Sequence, residues 1–172
     1  MINALKKIFL ITVLTLFSLP ISGEENKKND INQYNFYTGN FDFSDDKQKA
    51  ILIGFQHQNE TLERKTFLGT ASPITGGFIT ENSAAYVYTG VEWNYDMGNK
   101  MKFTPSFAPG LYSKGDGKDL GHVLEFKTEV QAAYTISENS SVGLSYNHIS
   151  NASLGDKNPG ANSYMLNYLK NF

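Results

Sequence analysis

The chain has 172 residues, no cysteine and a formal net charge of −2. That length fits one domain, the absence of cysteine excludes disulfides and thiolate metal sites, and the missing basic excess excludes a nucleic-acid binder held by phosphate contacts. Aromatic residues are abundant, with 10 Tyr and 12 Phe against 1 Trp.

Residues 1–23 read as a secretory signal peptide. Lys6 and Lys7 supply the positive start, Ile8 to Ile21 the apolar stretch, and Ser22 and Gly23 small residues for cleavage. The apolar stretch falls short of the ~20 residues that a membrane-crossing helix needs. The polar run Glu24 to Asp30 follows, so the mature domain is expected to span 24–172, outside the cytoplasm.

Beyond residue 30 the pattern has a period of two, and no amphipathic helix stands out. Segments with that period lie near 32–41, 48–58, 61–71, 84–95, 100–112, 120–136, 140–150 and 162–172. The clearest is 120–136. Its even positions include Leu120, His122, Leu124, Phe126, Val130 and Tyr134, and its odd positions include Glu125, Lys127, Glu129 and Gln131. One face is therefore apolar and the other carries charges of both signs. A soluble strand usually runs roughly five or six residues, whereas a tilted strand crossing a bilayer needs about nine to eleven.

The stretches 59–60, 96–99 and 137–139 read as tight turns. The stretches 42–47, 72–83, 113–119 and 151–161 are longer and rich in Gly, Asp, Ser, Asn and Pro. Short turns at one end and long loops at the other predict an all-β fold, an eight-stranded antiparallel transmembrane β-barrel with both chain ends on the short-turn side. A soluble barrel of lipocalin type would put the apolar face inside and the charged set outside. The last segment, with Tyr164, Leu166, Tyr168 and the terminal Phe172, resembles the closing strand of bacterial outer-membrane barrels.

The last two segments hold the candidate chemistry. His148 and Ser150 are two apart, so a strand puts both on the face of Val142, Leu144 and Tyr146. Asn162 shares the parity of Tyr164, Leu166 and Tyr168. If 148 and 162 pair across the hairpin, their Cβ atoms lie about 5 Å apart and Ser150, His148 and Asn162 form one row. His57 and His122 are given no role, and Gly115 to Asp119 reads as a surface loop without the spacing of an EF-hand or P-loop.

The run His148-Ile149-Ser150-Asn151-Ala152 followed by Asn158-Pro159-Gly160 resembles the lipid A 3-O-deacylase (PagL) family of outer-membrane barrels. The stretches Pro109 to Tyr112, Gly115 to Gly121 and Leu124 to Lys127 are similar to it as well. The resemblance is clearest over 100–172. It implies a serine esterase acting on lipid A of lipopolysaccharide in the outer leaflet, with Ser150 as nucleophile and His148 as general base. It implies no metal or cofactor and admits a homodimer. The oxyanion donors would come from the side chain of Asn158 and from the backbone around Asn151 and Ala152. Leu144, Tyr146, Tyr164 and Leu166 would line the acyl-chain groove. The family's third catalytic residue, a glutamate, falls on Asn162, which is a departure. Asn162 then orients His148 more weakly, or Asp156 swings in from its loop, or activity is lost. The rival expectation is a non-catalytic eight-stranded barrel with a structural or surface-interaction role.

Overall fold

The computed structural model describes residues 32–172, so the expected signal peptide, residues 1–23, lies outside the described residues. The strands are β1 (Asn32–Phe41), β2 (Ala50–Asn59), β3 (Arg64–Thr66), β4 (Gly69–Thr80), β5 (Ala85–Trp93), β6 (Tyr95–Asp96), β7 (Met101–Ser113), β8 (Leu124–Ser137), β9 (Ser140–Ser150) and β10 (Ala161–Asn171). Two of them, β3 and β6, are short extensions beyond the wall. The other eight pair antiparallel in the order β1, β2, β4, β5, β7, β8, β9, β10, and β10 returns to β1. The result is a closed eight-stranded antiparallel barrel. Closure leaves no open wall edge, which hydrocarbon does not tolerate.

Side chains alternate across this wall. Outside stand Phe36, Ile51, Ile53, Val87, Leu144 and Leu166, each more than half exposed in the isolated chain. An apolar belt of that extent suits lipid rather than water. Inside, Lys127 and Glu129 form an ion pair at 2.8 Å, with the ammonium 4.0 Å from the centre of the Tyr88 ring. Gln56 donates to Glu92 at 2.9 Å, and Asn35 bonds both Gln131 and Asn167. Nearer the end opposite Asn32 and Phe172, Phe41, Leu52, Phe78, Tyr86, Tyr112 and Ile149 fill the lumen. The interior is packed, as a barrel of this size requires.

Asn32 and Phe172 exchange backbone hydrogen bonds at 3.3 and 3.0 Å, so β1 begins where β10 ends. The loops 42–49, 81–84, 114–123 and 151–160 occupy the other end. Two expectations are corrected here. The third wall strand is 69–80, not 61–71, and 72–83 is mostly strand rather than loop. Pro73 and the Gly76–Gly77 pair suggested a break. Pro73 instead sits in the gap between two ladders: β2 pairs β4 as far as Ile74, and β3 takes over from Ala71. A ring nitrogen without N–H is tolerated there. Gly76 is small because a Cβ would lie 2.7 Å from the Tyr88 hydroxyl inside the wall. The long connection consequently moves to the terminal end, where η1 (Glu60–Leu62) and β3 fill 60–68. The second correction concerns Leu120 and His122. They belong to the loop before β8, and Leu120 is buried beneath that loop instead of facing outward.

Closure also restricts the seam. A Cβ on Gly39 would overlap the backbone carbonyl of Tyr164 across the β1–β10 ladder. Gly39→Ala is expected to destabilise the barrel by about 1–3 kcal/mol, the usual range for overpacking. Urea titration of the protein folded in micelles reads this; an unchanged midpoint would show that the seam has slack.

Candidate functional site

The loop 151–160 joins β9 to β10, and the register of that hairpin builds the site. His148 lies directly opposite Asn162, Tyr146 opposite Tyr164 and Leu144 opposite Leu166. All six belong to the outward face, because burial alternates from Val142 to Ser150 in β9 and from Ala161 to Leu169 in β10. The row expected from parity is therefore present, and Ser150 sits two residues beyond His148 on the same face. His148, Ser150 and Asn162 are each half-buried.

His148 Nδ1 lies 2.8 Å from Asn162 Oδ1. The Tyr146 hydroxyl donates to the same carbonyl oxygen at 2.8 Å. An acceptor at Nδ1 directs the proton there and leaves Nε2 with its lone pair, the arrangement a general base needs. Among the described residues, no hydrogen bond joins Ser150 Oγ to the imidazole. Such bonds commonly close only when substrate is engaged.

The turn after Ser150 is unusual. Ala152 and Ser153 both adopt positive φ, 51° and 62°. Asn151, expected among the oxyanion donors, is otherwise occupied. Its backbone N–H donates to Asn158 Oδ1 at 3.0 Å. Its buried side chain donates to the carbonyls of Leu120 and Lys157 at 2.8 and 2.9 Å. Asn151 thus holds two loops together, and by engaging the carbonyl of Asn158 it leaves the Nδ2 donors of that amide to point elsewhere. Lys157 reinforces the same junction through an ion pair with Asp119 at 2.9 Å, which holds the Asp119 carboxyl below its ordinary range. Asp156 is exposed and makes no hydrogen bond or ion pair with the imidazole among the described residues, where Asn162 already occupies Nδ1.

Below the row, the four expected groove residues form a ladder down the wall. The Tyr146 and Tyr164 rings pack at 5.3 Å, with the Leu144 and Leu166 pair beneath them. Phe43, from the loop after β1, closes over Tyr164 at 4.3 Å. Lower still, an open apolar depression of about 770 Å³ lies along the wall, lined among others by Phe36, Ile53, Val142, Leu166 and Tyr168. It contains neither His148 nor Ser150, and Leu166 is its link to the ladder.

Several participants escaped sequence reasoning. Tyr146 serves as a hydrogen-bond donor as well as a groove wall; its place two residues before His148 was a usable signal. Asp42, Phe43 and Ser44 reach the site only because β10 closes on β1, which no local pattern announces. His57 bonds Asn32 at 2.8 Å at the far end of the barrel, and His122 caps its own loop through the backbone of Leu124.

A closed barrel with an apolar outer face and a packed ionic lumen has the organisation of an outer-membrane β-barrel. The sequence profile of the family described as lipid A 3-O-deacylase (PagL) matches residues 51–171. This chain belongs to that family. Among solved structures, it is similar to the crystal structure of the outer membrane enzyme PagL, with a TM-score of 0.60 and 20% identity over 80% of this chain and 98% of that one. It is also similar to a de novo designed transmembrane β-barrel, at 0.55 and 11% identity over 87% and 100% of the two chains. Neisserial surface protein A (NspA) follows at 0.53 and 8% identity over 84% and 98%. At those identities the structures share the fold and no more. No curated protein matches the sequence.

The imidazole leans over Gly160, whose φ is +64° and where a Cβ would lie 2.8 Å from His148 Cε1. Gly160→Ala is expected to push the ring off Asn162 and to strain the backbone by about 1–2 kcal/mol. The low-field imidazole N–H proton resonance of a hydrogen-bonded Nδ1–H should be lost in this variant. Its retention would mean the ring is held independently of Gly160.

Proposed function

We propose that the protein is an outer-membrane lipid A deacylase that hydrolyses an ester-linked acyl chain, the 3-O chain by family, with Ser150 as nucleophile and His148 as general base. The observation that carries this reading is the outward pair His148–Asn162 at 2.8 Å, at the barrel end away from Asn32 and Phe172. Termini in the periplasm put that end at the outer leaflet, whose lipid A offers ester-linked acyl chains.

Ser150 Oγ attacks the ester carbonyl carbon as its proton passes to His148 Nε2. The bond between the acyl carbon and the sugar oxygen then breaks, and the imidazolium gives its proton to the departing alkoxide. Water, activated by the same nitrogen, attacks the acyl-serine, frees the fatty acid and restores Ser150. Asn158 Nδ2 and the Ala152 N–H are the donors assigned to the oxyanion, and removal of one such donor typically costs about 10²–10³ in rate. The acyl chain runs down the Tyr146–Tyr164 and Leu144–Leu166 ladder toward the apolar depression below. Homodimerisation is not needed for any of these steps, since every assigned group comes from one chain.

Lipid A from cells expressing the native protein should lose one hydroxyacyl mass by mass spectrometry, and Ser150→Ala should abolish that loss. Identical profiles from the two would favour a non-catalytic barrel. A carboxylate stabilises an imidazolium better than an amide does, so Asn162→Glu should raise kcat by about tenfold or more. A fall in kcat would show that the amide is built into this site and is not a weakened triad member.

A further inference from the structure

An amide can hold a histidine in the Nδ1-protonated tautomer only if its carbonyl, and not its NH2, faces the ring. Something must therefore distinguish the two ends of Asn162. The Tyr146 hydroxyl cannot, because a phenol donates or accepts equally well. His148 cannot, because each neutral tautomer suits one orientation of the amide. Among the described residues, the remaining hydrogen-bond neighbour of the amide is Ser44, in the loop after β1, whose Oγ lies 3.4 Å from Asn162 Nδ2.

Ser44 is in turn 3.3 Å from Asp42 Oδ1, and its hydroxyl donates to that oxygen. A carboxylate only accepts, so the single proton of Ser44 is committed to Asp42 and Ser44 presents lone pairs to Asn162. The amide nitrogen must then face Ser44, and the carbonyl must face His148. Asp42 is itself fixed. It is 1% exposed, with a φ of 50°, and its other oxygen pairs with the ammonium of Lys118. The loop also grips the backbone of Asn162, through Asn162 N–H to Asp42 Oδ1 at 3.4 Å and Phe43 N–H to Asn162 O at 3.0 Å.

We propose that Ser44 is a positioning residue which, with its direction set by Asp42, fixes the Asn162 amide so that its carbonyl accepts from His148 Nδ1. The carboxylate usually found beside such a histidine is thereby displaced outward by two hydrogen bonds. This rests on the deacylase reading for its activity arm, and on the structure alone for its spectroscopic arm.

The test is a double-mutant cycle. Ser44→Ala in the native background should lower kcat about three- to tenfold, the span of one ordinary net hydrogen bond, with KM little changed. In the Asn162→Asp background the same change should cost less than about twofold, because either carboxylate oxygen can accept and no orientation is left to lose. Ser44→Thr should restore the native rate. Equal losses in both backgrounds would overturn the proposal, since a loop that merely docks would be missed alike in each. Independently, ¹⁵N-histidine spectra in micelles should show His148 as the Nδ1-protonated tautomer, with the other tautomer appearing in Ser44→Ala. An unchanged spectrum would also overturn it. If the native protein releases no fatty acid yet the tautomers shift as stated, the deacylase reading fails and the role of Ser44 stands.

Discussion

Everything at the site depends on the two-residue period of a closed wall. Because β10 returns to β1 without an open edge, the register of each strand is fixed by both neighbours. A slip of one residue would turn every side chain of a strand to the other face. In β9 that slip would carry His148 and Ser150 into the lumen and bring Asn147, now buried inside, out to the lipid. Charges at Lys127 and Glu129 tolerate burial only as an ion pair inside, and Leu144 and Leu166 gain from lipid only outside. The partition that holds the barrel together thus also sets the histidine at the lipid surface.

The same closure supplies the environment of Asn162. β10 begins under the loop that follows β1, so the first loop of the barrel and the last hairpin share a border although they are far apart in sequence. Asp42, Phe43 and Ser44 reach Asn162 from one side while Tyr146 and His148 reach it from the other. A lone carboxylate would need none of this, since it accepts through either oxygen. An asparagine needs neighbours with a definite donor direction. The density of hydrogen bonds around this one amide is what its chemistry demands if it is to serve a histidine.

Most of the wall was legible in the sequence because alternation is a local signal. The segments 32–41 and 140–150 coincide with β1 and β9. The pairing of His148 with Asn162 entered the sequence reading as a condition, and the β9–β10 register meets it. The third wall strand was misplaced because Pro73, Gly76 and Gly77 look like a loop when read alone. Their meaning is tertiary: a gap between two ladders, and a tyrosine ring pressed against the wall. The roles of Ser44 and Asp42, and the engagement of the Asn151 N–H by Asn158, were equally invisible, since each depends on loops that meet only in the folded barrel.

Reaction of the folded protein in micelles with an alkyl fluorophosphonate tests the central claim, that Ser150 is a nucleophile activated by His148. Peptide mass spectrometry should find the phosphonyl adduct on Ser150 and find it lost in His148→Ala. An unlabelled Ser150 in the native protein, or labelling that persists without the imidazole, would contradict the account.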